Sequence, residues 1–70
     1  MKCCVEYTHP INGNTWYFCD LRDVDGVLKP VGCMGHRKRF ATIFHKKRDA
    51  EILTKYLRSL GYRTHICDWR

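Results

Sequence analysis

The chain has 70 residues, with 13 Lys and Arg against 7 Asp and Glu, a formal net charge of +6, 44% hydrophobic residues and five cysteines. A chain this short buries roughly 60% of the surface that its unfolded form exposes, which leaves one thin core and excludes both a second domain and a large enclosed active site. Its apolar and aromatic content excludes a wholly disordered chain, and no apolar run approaches the roughly 20 residues that a membrane span needs.

Lys2 to Thr8 places Cys3, Val5 and Tyr7 on one face and Cys4, Glu6 and Thr8 on the other, the period of a half-buried strand. His9 to Asn14 holds a proline and an Asn-Gly pair and predicts a hairpin turn. Thr15 to Arg22 is rich in aromatic side chains and predicts a central strand, with Trp16 and Phe18 alternating with Tyr17, Cys19 and Leu21. Asp23-Val24-Asp25-Gly26 predicts a second turn, and Val27 to Val31 a short return strand that Pro30 confines to an edge.

Gly32 to Gly35 reads as a flexible connection, after which Arg37 to His45 alternates and predicts another strand. At 100° per residue, Ala50, Ile52, Leu53, Tyr56, Leu57 and Leu60 fall within an arc of about 160°, opposite Lys47, Arg48, Glu51, Thr54, Lys55, Arg58 and Ser59. This predicts one amphipathic helix over 46–60, with Asp49 near its positive end and Gly61 just past its close. Tyr62 to Trp69 alternates again as a final strand. The expected architecture is a single α+β domain over 1–70, a four- or five-stranded mainly antiparallel sheet with the helix packed on one face.

Phe44, Ala50, Leu53, Leu57, Gly61, Tyr62 and Ile66 have a spacing that resembles the strand-helix-strand half of SPOR domains, which bind septal peptidoglycan. The resemblance covers about a third of the chain, and residues 1–36 contain no first copy of the unit that those domains repeat. It implies the packing of a helix on two flanking strands.

The charge distribution carries the main functional signal. Arg37-Lys38-Arg39 and Lys46-Lys47-Arg48 are basic triplets at the two ends of the expected Phe40–His45 strand, at most about 30 Å apart, and Lys55 and Arg58 extend the second along the helix. Such a band would bind phosphates by releasing condensed counterions, with strong salt sensitivity and little sequence preference. It would equally serve as a solvated face. Trp16, Tyr17 and Phe18 would stack bases if uncovered, although a core this small has few other large side chains to use.

Cys33-Met34-Gly35-His36 is a C-x2-H pair, and His65 and Cys67 share a strand face, but no second pair of familiar zinc spacing completes a tetrahedral set. Asp23-Val24-Asp25-Gly26 lacks the closing glutamate of a calcium loop. His9, His36, His45 and His65 lack an accompanying nucleophile motif or phosphate loop, so no catalytic, cofactor or metal site is expected. The odd number of cysteines and the absence of an export signal favour reduced thiols and a cytoplasmic setting, with one buried disulfide as the lesser alternative. The sequence thus points to a regulatory accessory factor that contacts nucleic acid through Arg37, Lys38, Arg39, Lys46, Lys47, Arg48, Lys55 and Arg58. The alternative is an inhibitor or modulator that docks on an acidic protein surface of a larger complex, in the manner of accessory proteins of mobile elements.

Overall fold

A computed structural model describes residues 2–69, and of His36 the backbone only. Strands β1 (Cys3–Thr8), β2 (Thr15–Val24), β3 (Val27–Cys33) and β4 (Arg63–Asp68) form one sheet in the order β3-β2-β1-β4, every neighbour antiparallel. Helix α1 (Lys47–Ser59) packs on one face, as the α+β reading requires.

The turns follow from local chemistry. Asp25 (φ 54°) and Gly26 (φ 84°) both take the left-handed conformation that a two-residue hairpin turn needs, and Asp23 accepts the Gly26 N–H at 2.9 Å. In the first hairpin, His9 Nδ1 accepts the N–H groups of Ile11 and Asn12 at 3.2 and 3.3 Å, so this imidazole organises a turn. Gly61, at φ 99°, closes α1: its N–H reaches Arg58 O at 3.0 Å and the Tyr62 N–H reaches Leu57 O at 3.1 Å, satisfying two carbonyls that the helix leaves open.

Cys3, Val5, Tyr7 and Phe18 meet Ala50 and Leu57 of α1 in the core, flanked by Trp16, Leu21, Phe44, Leu53, Tyr56, Tyr62 and Ile66. Trp16 and Phe18 are therefore occupied in packing and do not form an open stacking platform. Leu21 joins them, contrary to strict alternation, because a bulge between Phe18 and Asp20 inserts one residue and shifts every later side chain of β2 to the other face.

Two expectations are corrected. Residues 37–45 do not form a strand: Gly35–Phe40 is a 3-10 helix kinked at Arg37, and only Phe44 makes a bridge, to Cys3. The backbone over 41–44 crosses the gap where β2 bends away from β1. Thr42 N–H bonds Phe18 O on the β2 side, and Phe44 exchanges two bonds with Cys3 on the β1 side, at 2.9 and 2.7 Å. Alternation there reflects an extended chain that spans two partners without running along either. The strand-helix-strand unit suggested by the SPOR spacing consequently lacks its first strand.

The buried stripe of α1 is also rotated. Thr54, expected on the solvent side, is 4% exposed, whereas Ile52, expected in the core, is 60% exposed. The Thr54 hydroxyl donates back to Glu51 O at 2.8 Å, so it can be buried with its polar group satisfied.

Candidate nucleic-acid interface

The two basic triplets sit on different elements, the first in the 3-10 helix and the second at the start of α1. Lys38 lies on the second sheet face, away from α1, where its ammonium stands 5.3 Å from the ring centre of Tyr17 and 5.8 Å from that of Trp69 and donates to Asp68 O at 3.2 Å. Tyr17 belongs to that face because it pairs with Glu6, whereas its neighbours Trp16 and Phe18 join the helix-side core. Lys38 is thus committed to internal contacts. Arg37 and Arg39 are exposed on the same 3-10 helix, with the Arg39 guanidinium 4.9 Å from the Phe40 ring centre. Without an intervening strand, the two triplets are not carried at the two ends of one β segment.

The second triplet continues into a coherent surface. Lys46 precedes α1, and Lys47, Arg48, Lys55 and Arg58 occupy, together with Glu51, an exposed arc of about 100°. Lys47 and Arg58 are separated by about 17 Å along the helix axis. Ala50, Thr54 and Leu57, on the side that adjoins this arc at Lys47, are buried, so the direction of the cations is set by the packing beside them. Arg58 also donates through Nε to Thr64 Oγ1 at 2.7 Å, which joins the stripe to β4, where Arg63 and His65 are exposed. Periodicity alone already marks Lys47, Arg48, Lys55 and Arg58. Arg63 and His65 do not extend the stripe, because they pair with Thr8 and Glu6 and so lie on the second sheet face.

The chemistry-bearing side chains are otherwise dispersed. Among the described residues no three or more His, Cys, Asp and Glu side chains gather as a metal site, and the His36 side chain of the C-x2-H pair lies outside them. All five cysteines are free. Four form two separate pairs on or beside the second sheet face: Cys4 pairs directly with Cys67 across β1 and β4, and the thiols of Cys19 and Cys33 both donate to Tyr17 O at 3.7 Å. Burial pushes the Cys4 and Cys67 thiols above their ordinary range, and burial together with the neighbouring Cys33 pushes Cys19 up to about 11. These groups hold their protons near neutrality and are poor nucleophiles there.

No protein-family model matches the chain, and no curated protein or solved structure matches it significantly.

No described helix is long and apolar enough to cross a membrane. An apolar cleft of about 340 Å³ lies between α1 and the β2-β3 hairpin, lined by Leu21, Leu28, Ile52, Leu53, Tyr56 and one carboxylate, Asp49. It holds no set of converging polar groups.

Proposed function

We propose that this chain is a non-enzymatic, cytoplasmic regulatory factor that contacts nucleic acid through the outer surface of α1. The observation that supports this most directly is the grouping of Lys47, Arg48, Lys55 and Arg58 on the one arc of a helix whose adjoining side is buried in the core. A rigid helix holds its cations in register with a polyanion at little further ordering cost, and phosphate contacts of this kind position a protein without reading bases. Lys46 adds to the start of the stripe. Arg37 and Arg39 would contribute from the 3-10 helix, and Lys38 is held by Tyr17, Trp69 and Asp68 O.

The test is fluorescence anisotropy with a labelled DNA duplex and a labelled single-stranded RNA at about 50 and 200 mM salt. Binding at low salt that falls steeply at the higher salt, and that is lost in the Lys47→Glu/Lys55→Glu variant, supports the reading. No binding at low salt, or equal binding by that variant, overturns it.

A further inference from the structure

The two edges of the sheet differ in what they offer to another strand. In the β2-β3 hairpin, Val24 and Val27 flank a two-residue turn and form the closing hydrogen-bonded pair, so Arg22 with Lys29 and Asp20 with Val31 also bond across the ladder. The backbone groups of Leu28, Pro30 and Gly32 then point outward. Pro30 has no N–H, and the Tyr56 hydroxyl occupies Leu28 O at 2.7 Å. The β3 edge is thereby blunted against pairing.

The other edge is open. Cys3 spends its N–H and C=O on Phe44, and Trp69 N–H bonds Lys2 O at 3.0 Å, so the even-numbered residues of β1 are those that bond to β4. Arg63, His65 and Cys67 therefore face β1, while the backbone groups of Thr64, Ile66 and Asp68 face outward. Lys38 occupies Asp68 O. The N–H and C=O of Thr64 and Ile66 and the N–H of Asp68 have no partner among the described residues.

From this geometry we infer that the β4 edge docks an extended acidic peptide segment of a partner protein, which adds a fifth strand to the sheet. Charge selects the occupant. Arg63 flanks the edge on the second sheet face, and Arg58 flanks it on the helix face, where its Nε bond to Thr64 leaves other guanidinium donors for a carboxylate. The nearby carboxylates are Glu6, across from His65 on β1, and Asp68 at the end of the strand. A second copy of the chain would bring another net charge of +6 to the same edge, which disfavours self-pairing and favours an acidic partner.

The inference shares Arg58 with the proposed phosphate contacts but rests on the backbone of the β4 edge, so it stands or falls apart from nucleic-acid binding. The probe is a capped octapeptide of alternating Glu and Val, titrated into isotopically labelled protein and followed by amide NMR. The largest shifts are expected at Thr64, Ile66 and Asp68. N-methylation of one alternating set of peptide amides should weaken binding at least tenfold, while methylation of the other set has little effect. Thr64→Pro, which removes an outward N–H without breaking the β1 ladder, should abolish binding, and a Lys-Val octapeptide should not bind. Absence of shifts over 63–68 at millimolar peptide, equal effects of the two methylated sets, or shifts confined to α1 would overturn the inference. Because methylation alters only the peptide, the test stands even if the proline variant does not fold.

Discussion

Arg58 donates through Nε to Thr64 Oγ1 at 2.7 Å, tying a cation of the exposed helix arc to the outermost strand. The bond joins an exposed side chain to a half-buried one, so its effect is on orientation more than on stability. Thr64→Val is expected to cost less than about 1 kcal/mol in urea unfolding. It should leave nucleic-acid affinity within about threefold, since the charge itself remains; a larger loss in anisotropy would make the hydroxyl part of the interface.

Gly32 is required by its neighbours. A Cβ at this position would stand 2.5 Å from Trp16 Cβ and closer still to the Tyr7 hydroxyl, both on strands that cannot retreat without opening the core. Gly32→Ala is expected to destabilise by about 1–3 kcal/mol, the usual range for overpacking, as measured by the urea midpoint at unchanged slope. An unchanged midpoint would mean that Tyr7 and Trp16 repack freely.

The rotation of the buried stripe of α1 makes opposite predictions for two adjacent surfaces. Thr54→Lys forces a charge into the packed side and should cost about 3 kcal/mol or more, while Ile52→Lys should change stability by no more than about 1 kcal/mol. Thermal or urea unfolding of both variants checks this, and equal effects would restore the stripe that simple periodicity implies.

Most of the fold can be read from the residues, for identifiable reasons. Asn-Gly and Asp-Gly pairs fix the two hairpins, Pro30 marks an edge strand, and Gly61 ends α1. What escaped is what depends on distant partners. Phe40 looked like a strand residue, but it is 56% exposed at the end of a 3-10 helix, because period-two alternation reports extended backbone and not whether a ladder is available. The bulge at Phe18/Asp20 likewise has no local sequence mark, yet it sends Leu21 into the core. Of the site, the helical cations were legible from a 3.6-residue period. The fate of Lys38 was not, since Tyr17 and Trp69 meet it only after β1, β2 and β4 have assembled.

Alkaline pH should unfold the protein in a defined window. Burial pushes the Tyr7 phenol from its ordinary value of 10.0 up to about 12, and Cys19 goes from 9.0 up to about 11. The unfolded chain ionises first at both positions. The stability associated with the neutral groups is therefore complete below about pH 9 and is lost as pH rises, through about 11 for Cys19 and about 12 for Tyr7. The melting temperature is expected to fall steadily from pH 9 to 12, and Tyr7→Phe should flatten the upper part of that fall. A profile of the variant parallel to that of the native chain would remove Tyr7 as a cause.

The most direct measurement of the central claim is the salt dependence of nucleic-acid affinity for single alanine variants of Lys38, Lys47, Lys55 and Arg58. If the outer arc of α1 makes the phosphate contacts, each of Lys47→Ala, Lys55→Ala and Arg58→Ala reduces the slope of log affinity against log salt by about 0.9 on duplex DNA, and Lys38→Ala leaves it unchanged. Slopes that are unaltered by the three helix substitutions, or reduced only by Lys38→Ala, would contradict the account.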